Sequence, residues 1–211
     1  MTYRIAILLS LPVLLAACST AAPPQATASA ACAYDRPTLL GLDQERFDQD
    51  HQGGWRALAA RPGCSLAAAD LLRDYRQAHG KHASLLFWHE AQLRASAGQP
   101  EQAIVLMERA KEPAEEDLFG WNPYVDASVA FLRRDRRAFE QAHAALAALP
   151  PQGPVQDGYM EIRMGDGKSG KVRWPPNIDV VEGLAQCFDQ AYEIAYSNAC
   201  RPQQRSGGGT K

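Results

Sequence analysis

Apolar side chains recur along the middle of this chain at the spacing of buried helix faces. Ala103, Leu106, Met107 and Ala110 stand at i, i+3, i+4 and i+7, which predicts a helix from Glu101 to Lys111 with one buried stripe. Gly98-Gln99-Pro100 supplies the turn before it, and Pro100 suits a first helical position because its missing N–H costs nothing there. Ser84 to Ala97 is the preceding helix, and Pro113 closes the pair. Upstream, Gly54 to Ala60 predicts a short helix and Arg61-Pro-Gly-Cys64 a turn. Ser65 then caps a helix carrying Ala68, Leu71, Leu72 and Tyr75 on one face. Downstream, Asn122-Pro123 predicts an N-cap and first position for a helix with Val125, Val129 and Leu132 on one line and Tyr124, Ala127 and Phe131 on another. Arg133-Arg134-Asp135-Arg136 is the next turn, and Phe139, Ala142 and Leu146 mark a helix that ends at Pro150-Pro151.

The period changes in the C-terminal third. Tyr159 to Met164 alternates, Gly165-Asp-Gly-Lys-Ser-Gly170 supplies turn residues, and Lys171 to Trp174 alternates again, which predicts a β-hairpin. Val180 to Tyr196 predicts one more helix, closed off by Cys200 and placed to cap the helical stack.

The helical punctuation itself repeats. Trp55, Trp88 and Trp121 are spaced by 33 and 33 residues, and Ala69, Ala103 and Ala138 by 34 and 35. Phe87, Ala91, Gly98, Ala103, Met107 and Ala110 match the large and small positions of a tetratricopeptide repeat, so residues 53 to 149 resemble that family. Glu90 and Arg94 depart from it, standing where leucine and an aromatic are usual. The resemblance implies a mostly α fold: a short stack of antiparallel helical hairpins, a TPR-like α-solenoid, with a small C-terminal β-hairpin and a capping helix. It also implies a concave surface that holds a partner segment. Trp88, Trp121 and Tyr124, with the cationic turn of Arg133, Arg134 and Arg136, are the candidate partner-binding residues, although aromatics at helical spacing are more often core and a charged turn is more often simply solvated.

The N-terminus carries a different signal. Arg4 precedes an apolar stretch from Ile5 to Leu15, and Leu15-Ala16-Ala17-Cys18 follows. A positive end, an apolar run and small residues at the cut are what a secretory signal needs. The run is too short for the roughly 20 residues of a membrane helix, and Pro12 interrupts it. It resembles the lipobox of bacterial lipoproteins, which implies cleavage after residue 17 and lipid attachment at Cys18. Ser19 stands where lipoproteins retained in the inner membrane usually carry Asp, so the resemblance implies the periplasmic face of the outer membrane. The expected organisation is a signal peptide over 1–17, a lipidated flexible tether over 18–31 and helical repeats over 32–150. The hairpin and terminal helix occupy 151–200, and a disordered tail 201–211.

Removing Cys18 leaves Cys32, Cys64, Cys187 and Cys200. An even number in an oxidising compartment implies two disulfides. Three connectivities are open; the expected pairs are Cys187 with Cys200, a short loop, and Cys32 with Cys64, which would staple the N-terminal arm to the first helices.

Charge excludes one class of partner. Without Arg4 the chain holds 21 basic and 24 acidic residues, with no basic stripe, so no nucleic-acid partner is expected. Gly165 to Lys171 has the glycine spacing of a phosphate-binding loop, but Val172 replaces the hydroxyl residue that binds magnesium and Pro175-Pro176 forbids the helix that must follow. His79, His82 and His89 read as solvated loop residues rather than metal ligands, and no Ser/His/Asp or Cys/His set can be nominated as catalytic. No cofactor, metal or enzymatic activity is therefore expected. Together the resemblances imply an envelope lipoprotein that binds another protein as an adaptor. The alternatives are an immunity or inhibitor protein plugging a toxin or cell-wall hydrolase, and an enzyme acting on peptidoglycan.

Overall fold

A computed structural model describes residues 30–80, 83–163 and 169–202. The lipobox, most of the tether, the tail beyond residue 202 and the phosphate-loop-like turn at 165–168 lie outside the described residues, while Arg201, expected in a disordered tail, pairs with Asp179 at 3.2 Å. Over the rest the chain is mostly helical, with one small antiparallel sheet.

The helices are α1 (Arg36–Leu40), α2 (Gly54–Ala59), α3 (Ser65–His79), α4 (Ser84–Ser96), α5 (Pro100–Arg109), α6 (Trp121–Leu132), α7 (Arg136–Ala147), α8 (Ile178–Gln186) and α9 (Tyr192–Tyr196). α3 forms where the spacing predicts it and buries Ala68, Leu71, Leu72 and Tyr75. Gly80 ends it in the left-handed conformation, at φ 59°. α4 and α5 pack on each other with Ala91, Ala95 and Ala103, small side chains that let the two backbones approach closely, and with Met107 buried beside them. α6 and α7 pair in the same way across the Arg133–Asp135 turn, where the Asp135 carboxylate accepts a hydrogen bond from the Ala138 N–H.

Two helix starts differ from expectation. α6 begins at Trp121, and the cap is Asp117, whose carboxylate accepts from the N–H groups of Trp121 (2.6 Å) and Asn122 (2.8 Å). The Asn122 side chain instead clasps the Glu112 backbone, accepting from its N–H and donating to its carbonyl. Cys64, not Ser65, holds the N-cap position of α3, and no side chain there bonds an end N–H group.

The core falls into two clusters. One lies around Phe47, Leu58, Leu71, Leu72 and Tyr75, with Phe47 stacked on Tyr75 at 3.7 Å. The larger one runs from α4 through α9. Both expected disulfides are present: Cys32–Cys64 ties the first described turn to the start of α3, and Cys187–Cys200 closes the C-terminal segment.

The hairpin gains a strand. β1 (Val155–Gln156), β2 (Tyr159–Arg163) and β3 (Ser169–Arg173) pair in that order, all antiparallel. Asp157-Gly158, with φ of 53° and 80°, turns β1 into β2. Adjacent positive φ values at Asp-Gly suit a two-residue hairpin loop, a turn signal that the sequence carries at Asp157-Gly158 as well as at Gly165-Asp166-Gly167.

The single terminal helix expected over Val180 to Tyr196 is two. The break at 187–191 has a visible cause: Arg134 donates to the carbonyls of Phe188 and Gln190, the latter at 2.8 Å, and Phe188 turns inward against Phe131 and Phe139.

Candidate functional site

The aromatic candidates meet, but in the interior. Trp88 and Tyr124 are buried, their rings 4.8 Å apart, and the half-buried Trp121 closes the group at 5.0 Å from Trp88. Trp121 Nε1 donates to the Ala110 carbonyl at 2.6 Å, which fixes the ring. The Tyr124 end of this group meets the terminal helix. α9 lies on α4, Gln92 donates to the Tyr196 hydroxyl at 2.6 Å, and the Tyr124 and Tyr196 hydroxyls are 3.2 Å apart. Burial drives the Tyr124 phenol well above its ordinary pKa, so it stays neutral. The terminal helix α9 thus packs against part of the helix face that carries these aromatics.

The cationic turn is likewise committed within the molecule. Arg134 holds the 188–190 backbone as described, and its guanidinium lies 4.8 Å from the Phe131 ring centre. Arg136 covers the Phe188 ring at 4.3 Å, within 3.8 Å of Asp189. Arg133 reaches Glu108 at 3.5 Å. All three remain exposed, yet each has an internal partner.

Two buried polar networks were not anticipated. Asp48, fully buried, accepts from Trp55 Nε1 at 2.8 Å and Gln49 Nε2 at 2.6 Å and meets His89 Nδ1 at 2.7 Å. His89 is therefore an internal residue of α4, not a loop histidine; His79 is exposed, with Nε2 on the Leu40 carbonyl, and His82 lies outside the described residues. The second network explains the departures from the repeat pattern. Glu90 and Arg94 are both buried and bonded to each other at 2.8 Å, Arg76 pairs with the other Glu90 oxygen, and Arg94 continues to Asp70 at 3.0 Å. A sequence signal existed, because carboxylate and guanidinium four residues apart on one helix face each other. Among the described residues, no group of three or more His, Cys, Asp or Glu side chains could hold a metal ion.

What the surface offers instead is the loop between α5 and α6. Leu118 and Phe119 are adjacent and about half exposed. A groove of about 300 Å³ runs beside them, lined also by Trp121, Pro176, Glu112 and Glu116. The residues sit on a fixed frame, since Asn122 holds Glu112 and the backbone turns at Gly120, φ 77°, so close to α7 that a Cβ there would lie 2.6 Å from Leu146.

Compared with known proteins, the chain matches no family model, no curated protein and no solved structure. Among the described residues, no helix is long and apolar enough to cross a membrane.

Proposed function

We infer that this chain is a lipoprotein of the bacterial outer membrane, anchored through Cys18, whose helical body is a TPR-like stack serving as a protein-binding adaptor in the periplasm. The observation that carries this reading is the pairing of every cysteine beyond Cys18 into two disulfides. Disulfides of this kind persist in oxidising compartments, which agrees with a secretory leader ending in Leu-Ala-Ala-Cys. Adjacent large apolar side chains in solvent, Leu118 and Phe119, support a role in binding other proteins.

Fractionation of cells expressing the wild type and Cys18→Ser tests the anchor. The wild type should sediment with outer membranes and the variant should appear in the periplasm; a variant that stays with membranes overturns the lipid assignment. Crosslinking the wild type in its own envelope tests the adaptor role. Recovery of lipid and porins alone would remove it.

A further inference from the structure

The α5–α6 loop places two large apolar side chains side by side in solvent, in the same segment as three exposed carboxylates that form no ion pair among the described residues. Leu118 is 52% exposed and Phe119 48%. Phe119 meets Trp174 edge-on at 6.1 Å and lines the groove. Asp117 is spent on the end of α6, but Glu112, Glu115 and Glu116 are exposed and form no ion pair among the described residues. The neighbouring cation, Lys111, is held by Glu108 at 2.9 Å and Asp126 at 2.6 Å.

We propose that this groove docks a partner-protein segment in which a lysine or arginine stands beside an aliphatic or aromatic side chain. The cation meets Glu112, Glu115 and Glu116, and the apolar side chain covers Leu118 and Phe119. The proposal rests on the adaptor reading and deepens it by stating the partner's chemistry. Charge complementarity selects this occupant. A bilayer is a poor fit, because three carboxylates would have to be desolvated with the apolar pair and anionic lipid would repel them. A second copy using the same patch would set carboxylate against carboxylate. The frame made by Asn122 and Gly120 fixes the loop before binding, which lowers the cost of ordering it.

The test uses the full chain in detergent micelles and two fluorescent synthetic peptides, one alternating arginine and leucine and the other alternating glutamate and leucine. The arginine peptide should bind about tenfold or more tightly than the glutamate peptide, and less tightly as salt rises. Leu118→Ser with Phe119→Ser, and separately Glu115→Lys with Glu116→Lys, should each weaken it about tenfold while the thermal transition stays in place. Equal binding of the two peptides, or no loss in either double variant, overturns the proposal. So does partition of the Cys18→Ser chain into phosphatidylcholine vesicles that is lost with Leu118→Ser, or self-association lost with Phe119→Ser. A photo-crosslinker in place of Phe119, and in separate chains of Val105 or Ile194, separates the two readings. Protein crosslinks at Val105 or Ile194 but not at 119 overturn the groove and leave the adaptor standing, whereas none at any of the three overturns both.

Discussion

Nδ1 of His89 lies 2.7 Å from Oδ1 of Asp48, joining α4 to the π-helical segment Glu45–Gln49, 41 residues earlier in the chain. The carboxylate is wholly enclosed, so its bonds to His89, Trp55 and Gln49 replace the water it gave up. Asp48→Ala should cost about 3 kcal/mol, since it strands two buried donors, and Asp48→Asn about half that, measured by urea unfolding at neutral pH.

The same carboxylate makes stability depend on acid. Burial by itself raises the Asp48 pKa, but the hydrogen bonds from His89, Trp55 and Gln49 outweigh it and leave the group below its ordinary 3.8. A pKa depressed in the folded state gives a stabilisation complete above about pH 4 and lost as the pH falls through the folded value. Wild type and Asp48→Asn should therefore differ in unfolding free energy above pH 4 and converge below it. Parallel curves through that range would show that Asp48 does not titrate with folding.

Glu90 is held between two guanidinium groups, those of Arg94 and Arg76, in the interior. Glu90→Ala leaves both cations without their shared carboxylate and should cost about 3 to 5 kcal/mol. Replacing all three at once, Glu90→Leu with Arg94→Phe and Arg76→Met, should recover most of that loss, because apolar side chains of similar volume need no partner. Melting temperatures of the single and triple variants decide the matter; a triple variant no better than the single one would show that the network sets the packing itself.

The two disulfides close loops of different length, with sequence separations of 32 and 13. Chain-entropy reasoning gives about 3.7 kcal/mol for Cys32–Cys64 and about 3 for Cys187–Cys200. Serine pairs at each site, compared in guanidinium unfolding, should rank in that order. Mature wild-type protein should show no free thiol among these four cysteines.

Arg134 combines a useful side chain with an unfavourable backbone, φ 57°. Arg134→Ala loses the grip on residues 188–190 and keeps the left-handed conformation, at about 1 to 2 kcal/mol in all. Arg134→Gly loses the same grip but adopts that conformation freely, so it should be more stable than the alanine variant by about 1 kcal/mol. Thermal unfolding of the pair gives the difference directly.

The helices of the middle of the chain were legible because Ala68, Leu71, Leu72 and Tyr75, or Ala103, Leu106 and Met107, follow a period that depends on neighbours in sequence alone. The break at 187–191 was not, because it is made by Arg134, more than fifty residues away. The burial of His89 was hidden for the same reason, its partner Asp48 lying in the separate π-helical segment Glu45–Gln49. The spacing of Trp88, Trp121 and Tyr124 says nothing of the contact that α9 makes with α4 and Tyr124. Leu118 and Phe119 were visible as apolar letters after an acidic run, but only the three-dimensional structure shows that they face solvent.

The Cys32–Cys64 bond also decides how the molecule bears load. A pull on the chain ahead of Cys32 passes through the sulfur bridge to Cys64 and enters α3 at its first turn. Residues 33–63, with α1 and α2, lie in a closed loop off that path and cannot be stripped away one by one. Tension arriving from the N-terminal side therefore meets the folded body at α3, which buries Ala68, Ala69, Leu71, Leu72 and Tyr75, and the first hydrophobic cluster stays intact until α3 itself gives way.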